Sequence, residues 1–202
     1  MKLSWNTVGI GSLAPLAAAF TALLMLAVAL FVAAPVDAKK PKKAKGSCAY
    51  SQAEPAELNY YEASEAIRCL INKRRAKAGA GALAANGKLN EAAQKHNDFM
   101  VSHGCFAHDC PGEATMTTRI KSTGYLDGAM SWSVGENIAS GEQNLGSPAS
   151  IVDAWMNSSG HRANILNKSF DDIGIGVTSG SPENEGEDDA AVYTTDFGFS
   201  NG

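Results

Sequence analysis

The sequence predicts an α+β fold in which helices come first and a small sheet forms late in the chain. Between residues 57 and 156, apolar residues recur at helical spacing, whereas residues 173–197 contain two strand-like segments. Strands and helices do not alternate along the chain, and this excludes a doubly wound parallel sheet. The 202 residues suit one such domain behind a shorter N-terminal segment.

Four helices account for the first half of this prediction. The first covers residues 57–78 and ends at a Gly-Ala-Gly run, the second covers residues 88–102, and a short third covers residues 115–123. Ser147 and Pro148 open the fourth, as N-cap and first helical residue. The supporting apolar faces are Ala63, Ala66, Ile67, Leu70 and Ile71 in the first helix, Leu89, Ala92, Ala93, Phe99 and Met100 in the second, and Ile151, Val152, Trp155 and Met156 in the fourth.

Two strands follow the helices. They are predicted at residues 173–177 and 191–197, and the acidic segment 181–189 joins them. Consecutive strands with one connecting loop indicate an antiparallel hairpin with a long turn. The glycines Gly174 and Gly176 fit a close backbone approach in a strand better than phosphate binding.

The N-terminus predicts export. Lys2 precedes an apolar stretch at residues 13–34, and Val36-Asp37-Ala38 places small residues where a signal peptidase requires them. We therefore predict a signal peptide at residues 1–38, a lysine-rich linker at 39–56 and the folded domain at 57–202. An uncleaved membrane anchor formed by residues 13–34 is the alternative, because that stretch approaches the length of a membrane span.

Charge excludes nucleic acid as a partner. The chain has 17 basic and 21 acidic residues, and removing those of residues 1–45 leaves 11 and 20, a formal charge of −9 for residues 46–202. Binding to DNA or RNA depends on basic groups that neutralise phosphates. The linker lysines could instead contact an anionic cell envelope, the alternative to a solvated tether; they are Lys39, Lys40, Lys42, Lys43 and Lys45.

Four cysteines indicate two disulfides. They form neither a CxxC motif nor a zinc-type spacing with histidine, and an exported chain meets an oxidising environment. Three connectivities exist. We favour Cys48 with Cys69, which ties the N-terminal segment to the first helix, and Cys105 with Cys110, which flank one short loop. Four reduced, buried thiols are the alternative.

Self-contained catalytic motifs are absent from the sequence: it has no HExxH, GxSxG, P-loop or dinucleotide fingerprint. The candidate functional residues are polar groups in unusual local settings, namely His108 in the short cysteine loop, Glu136 before an Asn-Ile pair and His161 near the start of a short helix. His96 lies on the apolar face of the second helix, where a histidine is usually a packed core residue, and His103 lies just past the end of that helix; neither is taken as a functional candidate.

Several short motifs resemble, in order and spacing, the prokaryotic branch of the CAP superfamily, which groups cysteine-rich secretory proteins, antigen five and pathogenesis-related proteins of group one. The resemblance covers about residues 60–200. The matching segments are Asn72–Gly79, Leu83, Leu89–Ala93, Phe106–His108, Arg119–Tyr125, Gly135–Ala139, Ala154–Ser158, Gly160–Leu166, Ile173–Val177 and Tyr193–Gly198. The resemblance implies a three-layer α-β-α sandwich with a small antiparallel sheet.

In that family, two histidines and two acidic residues line a central cleft. The resemblance maps the first histidine to His108, the first glutamate to Glu136 and the second histidine to His161. The second glutamate lies three positions after the tryptophan of the fourth helix, and this chain has Ser158 there. The missing carboxylate counts against paired acid-base catalysis.

The resemblance implies an exported binding domain rather than a conventional enzyme. We expect a monomer that binds a small molecule, a lipid or a protein. His108, Glu136 and His161 could hold zinc or another divalent cation, and a hydrogen-bonded polar cluster without metal is the alternative. Two other functions remain open: a metal-dependent extracellular hydrolase or peptidase, and a structural protein of the cell envelope.

Overall fold

The computed structural model describes residues 47–183 and 189–201. The predicted signal peptide, the alternative anchor and the five linker lysines lie outside these residues. Part of the predicted linker is described and packs on the domain: Cys48 is 5% exposed, and a short 3₁₀ helix spans Pro55–Glu57. Within the described ranges, no helix combines the length and hydropathy that a membrane span requires.

Five α-helices and four strands are present in the described residues. The helices are α1 Tyr60–Lys77, α2 Gly87–His103, α3 Met116–Ser122, α4 Pro148–Asn157 and α5 Ser159–Leu166; the strands are β1 Ala84–Ala85, β2 Ser131–Glu142, β3 Asp172–Ser179 and β4 Ala190–Asn201. The prediction of an α+β fold is confirmed. Asn59 caps α1 and Ser147 caps α4 through their side chains, so local sequence fixes where both helices begin.

The sheet has the strand order β1-β3-β4-β2, and β4 pairs with β2 along twelve residues. The predicted hairpin of β3 and β4 is present and antiparallel. Two features differ from the prediction. β2 was not predicted as a strand, and the sheet is not purely antiparallel, because the two-residue β1 pairs parallel with β3.

Helices cover both faces of this sheet. On one face, α1, α4 and α5 form the larger hydrophobic core with alternate residues of β3 and β4, centred on the buried Trp155. On the other face, α2 lies directly on β3. A Cβ atom at Gly174 would come within 2.4 Å of the backbone nitrogen of Asn90, so this close approach requires glycine. These layers form the expected three-layer sandwich.

Both favoured disulfides are present: Cys48 pairs with Cys69, and Cys105 pairs with Cys110. The first fastens residues 47–56 to α1. The second closes the loop between α2 and α3 that contains His108. Together, the sheet face under α2 and this closed loop position the candidate site.

Candidate functional site

Glu136 lies in the middle of β2 on the sheet face covered by α2, and its side chain is only 1% exposed. Both of its oxygens are engaged. Oε1 lies 2.7 Å from Nδ1 of His108, and Oε2 accepts a hydrogen bond of 2.6 Å from Nη2 of Arg119. Burial alone would raise the pKa of Glu136, but the hydrogen bond with His108, the charge and hydrogen bond of Arg119 and the nearby His96 outweigh it and lower that pKa. Glu136 is therefore an ionised, fixed carboxylate.

Arg119 of α3 connects this carboxylate to the loop before the helix. Its Nη1 donates to the carbonyl oxygens of His108, at 3.1 Å, and Ala114, at 2.9 Å, and lies 3.4 Å from Oε2 of Glu113. The side chain is 6% exposed, so these contacts lie out of bulk water. One guanidinium thus fixes both Glu136 and the backbone that carries His108. Sequence reasoning did not select Arg119 as a site residue, although it opens one of the CAP-like segments.

His108 stands at the edge of the buried cluster, where half of its side chain, 51%, is exposed. The hydrogen bond with Glu136 is the main cause of its raised pKa. Because Nδ1 faces the buried carboxylate, the exposed part of the ring includes the opposite edge with Nε2. The disulfide between Cys105 and Cys110 restrains the backbone on both sides of this ring. The imidazole is therefore oriented before any ligand binds.

His161 approaches the same region from the other side of β2. It lies in the first turn of α5 and is half-buried, and burial together with the nearby His108 lowers its pKa. Two contacts dock α5 on β2: Asn137 donates to the carbonyl oxygen of His161, and Asn164 donates to that of Glu136, both at 3.1 Å. The structure therefore brings His108 and His161 within electrostatic range of each other.

His96 belongs to the cluster in a way that sequence reasoning missed. It is fully buried on α2, as predicted for a packing residue, but its Nδ1 lies 2.8 Å from Oε2 of Glu113 and its Nε2 lies 3.9 Å from Oε1 of Glu136. Burial lowers its pKa against the opposing effect of Glu136. His103, in contrast, stacks on Phe99 at the exposed end of α2 with ring centroids 3.8 Å apart.

The comparison with known families decides where this arrangement belongs. The model of the cysteine-rich secretory protein family, CAP, matches residues 69–197, well over half of the chain. The chain belongs to the CAP family.

Among curated relatives, Bacillus subtilis YkwD is 36% identical over 129 residues, which cover 63% of this chain and 46% of YkwD. The B. subtilis membrane protein YlbC is 31% identical over 108 residues, covering 54% and 29%. The chain thus spans less than half the length of both curated relatives.

Solved structures agree with the CAP assignment at the level of the fold. An outer surface protein of Borrelia burgdorferi superposes with a TM-score of 0.58 at 21% identity, covering 71% of this chain and 97% of that protein. An extracellular SCP-domain protein of Bacillus anthracis superposes with a TM-score of 0.54 at 26% identity, covering 69% and 43%.

The three residues predicted to bind a metal, His108, Glu136 and His161, are poorly arranged to hold one. Among residues 47–183 and 189–201, no group of three or more His, Cys, Asp or Glu side chains is arranged to hold one. Arg119 and His108 occupy both oxygens of Glu136, which makes this residue the support of His108 rather than a ligand. Ser158, at the position of the family's second glutamate, joins α4 to α5 without capping α5 through its side chain. We therefore derive no metal chemistry at this site.

Proposed function

We propose that this chain is an exported CAP domain that binds a ligand outside the cell through His108 and His161, without catalysing its conversion. The observation that carries the proposal is the anchoring of His108. Its Nδ1 meets a buried carboxylate whose other oxygen is bound by Arg119, and its outer edge is open to solvent. Such an imidazole loses little conformational entropy when it meets a ligand, which favours binding.

Binding is supported better than hydrolysis. A general acid or base must exchange a proton readily near neutral pH, whereas the pKa of Glu136 is lowered and its oxygens are already engaged. The second carboxylate of the family is absent because Ser158 replaces it. The peptidase alternative thus lacks a free carboxylate base and the second carboxylate of the family.

Export is supported by three independent features. The N-terminus carries the pattern of a signal peptide, two disulfides are formed, and the similar proteins of B. burgdorferi and B. anthracis are described as an outer surface protein and an extracellular protein. Attachment to the envelope would depend on the linker lysines, which lie outside the described residues.

Zinc is a suitable probe for whether the two imidazoles face a common space. We would express the full chain with export into an oxidising compartment, confirm by mass that the mature protein begins at Lys39, and titrate Zn²⁺ calorimetrically at neutral pH. Although the three predicted residues do not form a resident metal site, two convergent imidazoles alone can bind added zinc weakly through their ring nitrogens. We therefore expect one weak binding event per chain that is lost in His108→Ala and in His161→Ala.

The matched control is His103→Ala, which removes an exposed histidine away from the site and should leave the zinc isotherm unchanged. Equal binding by all three variants would place the metal elsewhere on the surface, and no binding by the parent protein would show that the two imidazoles do not converge. Either result contradicts the proposal. A mature N-terminus that still contains residues 13–34 would contradict signal cleavage.

A further inference from the structure

A second carboxyl group lies beside Glu136, and sequence reasoning did not select it. Asp196 of β4 is the direct cross-strand partner of Glu136 in the β2–β4 ladder. Directly opposed residues point to the same sheet face with Cβ atoms about 4.5–5.5 Å apart. Asp196 is completely buried there, under α2 and in the central part of the sheet.

Within the described residues, Asp196 has no donor of its own. Both of its oxygens are buried, and neither accepts a hydrogen bond. The neighbouring cation, Arg119, directs its terminal nitrogens elsewhere: Nη2 to Glu136 and Nη1 to two carbonyl oxygens and Glu113. A buried carboxylate without a donor or an ion pair is strongly unfavourable.

The carboxyl group that faces Asp196 is that of Glu136, and two ionised carboxylates cannot hydrogen-bond to each other. A proton on one of them resolves the conflict. Glu136 already has two donors, His108 and Arg119, whereas Asp196 has none, so the proton belongs on Asp196. Burial first and then the charge of Glu136 raise the pKa of Asp196 well above its usual range, in agreement with this geometry.

We propose that Asp196 is a positioning residue of the site: a neutral carboxylic acid that donates its proton to Glu136 and thereby holds this carboxylate against His108 and Arg119. Glu136 then accepts from three directions and cannot rotate away from His108. With Asp196 neutral, the anions Glu136 and Glu113 lie 2.6 and 3.4 Å from the one cation Arg119, and no third buried anion stands beside this guanidinium. The inference deepens the proposed function, because it explains how the ligand-facing imidazole is kept in place.

Infrared spectroscopy and histidine NMR test this proposal in the full, exported chain. At neutral pH we expect the infrared carbonyl band of a protonated carboxylic acid, and this band should disappear in Asp196→Asn. It should persist in the control Asp172→Asn, because in the parent protein the Asp172 carboxylate accepts a hydrogen bond of 2.9 Å from Tyr125. The Asn side chain is neutral, has nearly the same shape and can donate to Glu136. The His108 titration midpoint should therefore match that of the parent protein.

Asp196→Val keeps the strand but removes the donor. Loss of one donor makes Glu136 more basic, so the midpoint of His108 should rise by about one pH unit, the size of one hydrogen bond to a charged group. The proposal is overturned if no carbonyl band distinguishes Asp196→Asn from the parent protein, or if the His108 midpoint falls in Asp196→Asn, as removal of an anion would require. A midpoint in Asp196→Val equal to that in Asp196→Asn would remove the positioning role. None of these readouts depends on zinc, so they remain decisive if the proposed binding function fails. The infrared band and the His108 midpoint in Asp196→Asn do not require the Asp196→Val variant to fold.

Discussion

Replacing Arg119 with methionine should lower the free energy of unfolding by about 3–5 kcal/mol, because it removes one partner of a buried ion pair and leaves the other uncompensated. The carboxylate of Glu136, which is 1% exposed, would lose the guanidinium at Oε2 and keep only the hydrogen bond with His108 and the one that we propose from Asp196. The carbonyl oxygens of His108 and Ala114 would also lose their donor. Equilibrium denaturation in urea measures the loss, provided that the slope of the transition stays constant.

Arg74→Met is the matched control for this prediction. Arg74 pairs with Asp153 on the surface, where both side chains are substantially exposed, and such pairs contribute roughly 0–1 kcal/mol. If Arg119→Met costs no more than Arg74→Met, Arg119 does not stabilise the site in the way described. In that case the support of His108 must come from other contacts.

A loss of about 3–5 kcal/mol is also expected for Arg75→Met, which removes a guanidinium bound to the backbone at the end of α5. Arg75 of α1 is 1% exposed and donates only to backbone, so its removal leaves several buried carbonyl oxygens without donors. The acceptors are the carbonyl oxygens of Gly81, Ile165, Asn167 and Phe170, at distances of 2.6–2.9 Å. Three of them follow or end α5, so the change should also loosen the helix that carries His161.

Thermal and urea denaturation measure the stability of Arg75→Met, and amide hydrogen exchange of α5 reports the local effect. Arg68→Met is the comparison on the same helix, because Arg68 forms a partly exposed pair with Glu65, one turn away. Unchanged exchange in α5 alongside a large global loss would show that Arg75 stabilises the core without positioning His161.

Helices were predictable here because their signals are local. Asn59 and Ser147 cap their helices by contacts within three residues, and the apolar faces of α1, α2 and α4 repeat at helical spacing. β2 lacked such a signal. Its sequence SWSVGENIASGE contains three serines and two glycines, and it forms a strand because β4 supplies a partner along all twelve residues. That pairing joins residues about 50–70 positions apart, which no local pattern reports.

The residues of the candidate site likewise fall into those that the sequence indicated and those that only the folded chain reveals. His108, Glu136 and His161 were selected from their local sequence settings and then matched by motifs of the family resemblance. Arg119, His96 and Asp196 become functional candidates only when the chain is folded. Asp196 lies within a segment whose sequence predicted a strand and gave no indication of a functional residue. His96 lay on a helix stripe that correctly predicted burial and gave no indication of Glu113 or Glu136. Burial of polar groups beside one another is a tertiary property, and the same burial gives these groups their shifted pKa values.

The most direct test of the central claim is an NMR pH titration of the four histidines. The claim is that Glu136 anchors His108, whereas His161 lies within electrostatic range of His108 and has no carboxylate partner among residues 47–183 and 189–201. The hydrogen bond with Glu136 raises the pKa of His108 above 6.5, whereas burial and the neighbouring His108 lower that of His161. The contribution of His108 to stability is therefore present at pH values below its unfolded pKa and is lost as pH rises through its higher folded value. For His161 the sign is reversed, because protonation through its lower folded value opposes folding.

We expect His108 to titrate above 6.5 and His161 below it, with the upward shift of His108 abolished in Glu136→Gln. Titration of both rings at the ordinary value, or a His108 midpoint in Glu136→Gln equal to that of the parent protein, would contradict this account.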